Sequence, residues 1–168
     1  MPVKLGPAGV PLSCKGRTIV EGMDDIISLG LETMEVQTVR MVAPQHFEQY
    51  WQAGVLAHKT GFEMNIHGPY YSELLGNRLE RNRSLAKVEA ALQAAKTINA
   101  RHVTLHAGHY CEYSRGKDAN EQVATVYKGI VERIHDIWND DDDKYPVFPW
   151  LKDGTASKIG VETSGRQE

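Results

Sequence analysis

His67, His106 and Glu162 each close an extended run just ahead of a turn, in Asn65-Ile66-His67-Gly68-Pro69, Thr104-Leu105-His106-Ala107-Gly108 and Gly160-Val161-Glu162-Thr163-Ser164-Gly165. Neutral imidazoles and a carboxylate suit a zinc ion, and two His with one Glu leave a fourth position open for water or substrate. An ion held this way polarises a phosphoryl oxygen and lowers the pKa of bound water towards about 7. The chemistry expected of the set is therefore metal-assisted hydrolysis, with Glu162 its catalytic carboxylate. Taken singly, each of the three also has the pattern of a hydrogen-bonded structural polar residue. Their shared strand-end placement is what makes them a set, because a parallel sheet wound with helices gathers its strand ends at one rim.

Other residues fall on the same rim. His109 lies three residues past His106 and is a candidate phosphate donor or further ligand, with an exposed loop histidine as the plain alternative. Tyr70 and Tyr71 follow His67-Gly68-Pro69, where they could stack on a base or sugar or simply pack on the rim. Arg40, Lys15, Arg17 and Arg166 also follow strands, where cations attract a phosphodiester; scattered surface charge is the competing reading. The Gly-x-x-x-x-Gly-Lys, Gly-x-Gly-x-x-Gly and Gly-x-Ser-x-Gly patterns are missing, which lowers the prior for NTPases, dinucleotide enzymes and serine hydrolases.

The elements that must position these residues alternate in period. An extended piece, Val3 to Leu5, precedes a helix capped by Thr18 and stopped by Gly30, with Ile19, Met23, Ile26 and Ile27 on its apolar stripe. A strand from Thr33 to Val39 leads to a helix opened by Pro44, with Phe47, Trp51, Val55 and Leu56 as its stripe. Strand Phe62 to His67 is followed by a helix from about Ser84 to Asn99, which leaves Arg81, Lys87 and Lys96 for solvent. Strand His102 to His106, a helix over roughly Asn120 to Trp138, and strand Lys158 to Glu162 complete the series. Between the last two, residues 139–157 read as an acidic, proline-containing loop insertion.

Strands alternating with amphipathic helices imply parallel βαβ units, an α/β class. The parity within the strands narrows this further. Met34, Val36, Met64, Ile66, Val103, Leu105, Ile159 and Val161 hold one face, while Glu35, Gln37, Asn65, His67, Thr104, His106 and Glu162 hold the other. A polar second face fits a barrel lumen, whereas a doubly wound sheet would have to bury it under helices. A (β/α)8 barrel needs eight strands and about 250 residues. The 168 residues supply about five strands, so we expect a single partial TIM-barrel domain over residues 1–168, belonging to a longer protein or completed by a partner chain.

With 41% hydrophobic and 24% charged residues, the chain has the composition of one globular core. A net charge of −3 argues against coating nucleic acid by bulk attraction, although a local basic rim is compatible with it. Cys14 and Cys111 lack Cys-x-x-Cys spacing, no apolar run is long enough to span a bilayer, and Met1-Pro2-Val3-Lys4 lacks a signal-peptide character. We therefore expect a cytoplasmic protein with no membrane partner.

The segments Leu5-Gly6-Pro7-Ala8-Gly9-Val10-Pro11, Glu21-Gly22, Leu29-Gly30-Leu31, Met34-Glu35-Val36-Gln37, His67-Gly68-Pro69-Tyr70-Tyr71, His106-Ala107-Gly108-His109-Tyr110 and Glu162-Thr163-Ser164-Gly165 resemble the archaeal branch of the endonuclease IV family. That family comprises zinc-dependent apurinic/apyrimidinic endonucleases of the xylose isomerase-like barrel superfamily. The resemblance spans nearly the whole chain outside residues 139–157. It implies a DNA-repair hydrolase that cuts the phosphodiester 5′ of abasic sites in double-stranded DNA. It makes His67 and His106 ligands of one zinc, Glu162 a carboxylate bridging to a second, and Tyr70 part of a loop approaching the DNA backbone. Family members hold three zinc ions, whose remaining ligands lie on later strands, so this chain is expected to ligate at most one well. Two alternatives stay open: a metal-dependent sugar or sugar-phosphate isomerase or epimerase of the same superfamily, and a non-catalytic fragment associating through open sheet edges.

Overall fold

The computed structural model describes residues 3–106, 119–139 and 158–162. Thr18 starts helix α1 (Ile19–Ser28) with a reciprocal cap: its hydroxyl accepts from the Glu21 amide at 3.2 Å, while the Glu21 carboxylate accepts from the Thr18 amide at 3.0 Å. The Thr18 hydroxyl, followed by its amide, holds the Glu21 carboxyl below the usual carboxylate range. The helix ends before Gly30, whose φ of 76° is one a side chain would resist.

Strand β1 (Thr33–Gln37) follows, and Pro44–His46 then form a 3-10 turn that leads into α2 (Phe47–Thr60). The expected stripe on α2 is rotated. Phe47, Tyr50, Ala53, Gly54 and Ala57 are buried, whereas Trp51, Val55 and Leu56 are only half-buried. Small residues let the helix approach its neighbours closely, so its contact face is set by size as well as hydropathy.

After β2 (Glu63–His67), helix α3 (Arg78–Ile98) begins six residues ahead of the expected Ser84. Asn77 is the reason. Its side-chain oxygen accepts from the Leu79 and Glu80 amides at 2.9 and 3.1 Å, and Glu80 returns the bond to the Asn77 amide at 2.8 Å. The cations expected to face solvent are also tied down. Arg81 donates to the Leu74 and Gly76 carbonyls, Lys87 to the Tyr71 carbonyl, and Lys96 is 7% exposed beneath the Trp138 ring, 5.8 Å from its centroid.

Strand β3 (His102–His106), helix α4 (Ala119–Asn139) and strand β4 (Lys158–Glu162) complete the described elements. The insertion expected over residues 139–157 lies outside them, apart from Asn139. No helix among the described residues is long and apolar enough to cross a membrane.

The four strands are parallel and ordered β1-β2-β3-β4. Right-handed crossovers in a sheet of sequential order put every helix on one face. Met34, Val36, Met64, Ile66, Val103 and Leu105 point to that face, none more than 6% exposed, and each contributes roughly 1.5–3 kcal/mol by burial. They meet Met23 and Ile26 of α1, Phe47 and Ala53 of α2, and Val88, Leu92 and Ile98 of α3 in one core. The opposite face carries half-buried Glu35, Asn65, His67, Thr104 and His106. This is the one-sided sheet of a partial TIM barrel, as the strand parity implies.

The N-terminal piece departs from expectation. Instead of a strand over Val3 to Leu5, Leu5–Gly9 runs beside β1 as irregular pairing: the Glu32 amide donates to the Leu5 carbonyl, the Glu35 amide to Pro7 at 3.1 Å, and the Gly9 amide to Glu35 at 2.8 Å, around one parallel bridge, Ala8 to Glu35. Pro7 has no amide to extend the ladder. A Cβ on Gly6 would fall 1.6 Å from the Thr33 carbonyl oxygen, so only glycine permits this approach.

Candidate metal centre

The backbone of His67 is held on both sides. Thr38 donates to the His67 carbonyl through its amide and its hydroxyl, each at 2.9 Å, which anchors the end of β2 to β1. On the other side, the Gly68 amide donates to the Thr104 carbonyl of β3 at 2.7 Å. The chain then turns at Pro69, where Ser72 caps the Pro69 carbonyl at 2.9 Å.

The strand register sets the side chains in rows. Glu35 pairs with Asn65, and Asn65 with His102; Gln37 pairs with His67, and His67 with Thr104; His106 pairs with Glu162. Glu35, His67 and His106 therefore climb one side-chain row per strand, a diagonal across the polar face. Along it, the Nε2 atoms of His67 and His106 are 3.0 Å apart, with ring centroids 5.0 Å apart and planes at 50°. The other nitrogen of His67, Nδ1, faces Glu35 Oε2 at 3.4 Å. Tyr70 stands edge-on to the His106 ring at 4.9 Å, and Tyr71 edge-on to Tyr70 at 5.2 Å.

Two imidazoles bound to one zinc at about 2.0–2.1 Å with a tetrahedral angle have their nitrogens about 3.3 Å apart. The observed 3.0 Å lies within a few tenths of an ångström of that value, so the pair fits two sites of a zinc shell. Among the described residues, no group of three or more His, Cys, Asp or Glu side chains is placed to hold a metal ion. Glu162 is level with His106 in the register, and its side chain lies outside what is described.

Of the other expected site residues, Tyr70 is beside the pair and 43% exposed. Arg40 is exposed on the loop after β1, which the Tyr70 amide joins by donating to the Val39 carbonyl at 3.2 Å. His109 and Arg166 lie outside the described residues. His102, at the start of β3, is at the opposite rim, where its Nδ1 is 3.1 Å from Asn65 Oδ1. Sequence reasoning misses Glu35 as a site residue, although its polar parity is evident. Its contact with His67 follows from a diagonal step that only the register defines. A cavity of about 370 Å³ lies elsewhere, between α1, α2 and β1, lined by residues including Arg17, His46 and Tyr50.

A one-sided sheet of sequential parallel βα units is an arc of a βα-barrel, and its strand ends bring an imidazole pair to one rim. The family model for xylose isomerase-like TIM barrels matches residues 23–141, and the chain belongs to that family. No curated protein matches its sequence. Among solved structures, it is similar to a D-tagatose 3-epimerase-like protein, with TM-score 0.58 and 15% identity over 95% of this chain and 52% of the other. A protein from Thermus thermophilus, studied after soaking with ZnCl2, matches with TM-score 0.51 and 17% identity over 86% of this chain and 62% of its own. Endonuclease IV from the same organism matches with TM-score 0.47 and 17% identity, over 74% and 47% respectively. The chain thus spans about half to three-fifths of the length of these neighbours, and the first two likenesses, with the family match, show its fold.

Proposed function

We propose that the protein is a metal-dependent phosphodiester hydrolase of the endonuclease IV type, acting 5′ of abasic sites in double-stranded DNA. The observation that carries this reading is the His67–His106 pair, with converging Nε2 atoms at the strand-end rim. His67 and His106 would hold a zinc ion, with Glu162 as the carboxylate level with His106. When bound, zinc supplies Lewis-acid polarisation of a phosphoryl oxygen and acidifies water. Further zinc ions of a multinuclear site would need ligands beyond these three residues.

The residues around the pair supply the rest. Exposed Tyr70 and Tyr71 offer aromatic surface where a base is missing from a duplex, since stacking on an aromatic ring replaces lost base stacking. Arg40 offers a cation to a backbone phosphate on the same rim. With a formal charge of −3, such local contacts would have to supply the attraction to DNA.

The second reading is a sugar or sugar-phosphate isomerase or epimerase. Membership of the xylose isomerase-like family favours it, because the same ligand chemistry polarises a carbonyl. The two part on substrate. Zinc-supplemented protein should nick a duplex carrying one abasic site on its 5′ side, leave the undamaged duplex intact and leave keto-sugars unchanged. Turnover of a keto-sugar without nicking would replace the first reading with the second.

A further inference from the structure

We infer that Glu35 is a positioning residue, which selects the tautomer of His67 whose lone pair is on Nε2, the nitrogen that would bind metal. The inference rests on the metal-centre reading above and assigns a role to a residue outside the ligand set.

A neutral imidazole carries one proton, on Nδ1 or on Nε2, and only the other nitrogen has a lone pair to offer. His67 points Nε2 at His106 and Nδ1 at Glu35 Oε2. A carboxylate only accepts, so its place beside Nδ1 favours the Nδ1–H form and directs the lone pair of Nε2 towards His106. With the proton on Nε2 instead, two lone pairs would face each other across the Glu35 contact and no donor orbital would face the ion. The 3.4 Å separation is a little beyond the roughly 2.7–3.2 Å of a full N–H···O bond, yet close enough for the carboxylate charge to favour a proton on the nitrogen that faces it.

The backbone makes Glu35 suited to this. Its amide donates to Pro7 and its carbonyl accepts from Gly9, so the residue is fixed from the strand's outer side, while Thr38 fixes the His67 carbonyl. The carboxylate is 28% exposed and the imidazole 23% exposed, so water is partly excluded from the contact. Outer-sphere carboxylates that hold a ligating imidazole typically change metal affinity 10–100-fold when removed.

The test compares wild type, Glu35→Ala and Glu35→Gln by two readouts: imidazole 15N shifts of His67 in metal-free protein, and zinc affinity by chelator competition. We expect Nδ1–H in the wild type, a shift towards Nε2–H in Glu35→Ala with zinc binding 10–100-fold weaker, and recovery of most of both in Glu35→Gln, whose amide oxygen still accepts. An unchanged tautomer together with zinc affinity within about twofold in Glu35→Ala overturns the inference. So does a loss beyond roughly 1,000-fold with an altered Co(II) spectrum, which would make Glu35 a ligand. The tautomer readout needs no metal. If it shifts as expected while the wild type binds no zinc, the role of Glu35 stands and the metal reading falls.

Discussion

Gly68→Ala tests how tightly the end of β2 must lie against β3 for the histidine pair to form. A Cβ built at Gly68 falls 2.5 Å from Leu105 Cδ2 and 3.0 Å from the Thr104 carbonyl oxygen. The first distance is about 1 Å inside normal carbon contact. Leu105 is 3% exposed and packed in the core, so its methyl moves only by displacing neighbours. Retreat of the backbone instead weakens the 2.7 Å bond from the Gly68 amide to Thr104. Overpacking of this kind costs about 1–3 kcal/mol. A weakened backbone hydrogen bond adds about 0.5–1.5 kcal/mol, so a total near 2–4 kcal/mol is expected. With a urea slope of about 2 kcal/mol per molar, the unfolding midpoint drops by roughly 1–2 M. Because His67 is the next residue, zinc affinity should fall with it. A loss below about 0.5 kcal/mol with unchanged zinc binding would show that the approach of β2 to β3 does not require glycine.

Asn77→Ala should cost about 1 kcal/mol by removing the cap of α3, read as a lower thermal midpoint, and Asn77→Asp should restore most of it. Tyr50, pushed up to about 12 by burial, ionises later in the folded than in the unfolded chain. The folded state therefore holds more protons above about pH 10, and stability falls as pH rises from there towards 12; urea melts of Tyr50→Phe should show a shallower alkaline loss, by roughly 2 kcal/mol at most.

The fold was legible where side-chain period and burial agree. Met34, Val36, Met64, Ile66, Val103 and Leu105 alternate strictly with polar residues, and the sheet buries the first set alone. It was obscure where other physics decides. The first turns of α3, Arg78 to Arg83, have no apolar stripe to announce them, and the Asn77–Glu80 capping box starts the helix there. Lys96 carries a charge that signals solvent, yet the residue is buried with its ammonium against the Trp138 ring. Pro7 and Gly6 turn an expected strand into a single bridge. For the site, strand-end spacing marked His67 and His106, but their 3.0 Å approach and the contact with Glu35 depend on a diagonal register that a one-dimensional pattern does not contain.

Whether His67 and His106 bind metal is decided by zinc binding of the wild type beside His67→Ala and His106→Ala, with metal content and chelator-competition affinity measured on protein shown by circular dichroism to be folded. Structural zinc sites with four protein ligands are worth about 10–16 kcal/mol, or about 2.5–4 kcal/mol per ligand, so losing one imidazole should weaken binding by roughly 100-fold or more in either variant. Equal zinc affinity in all three proteins would rule out the histidines as ligands and leave them a hydrogen-bonded pair.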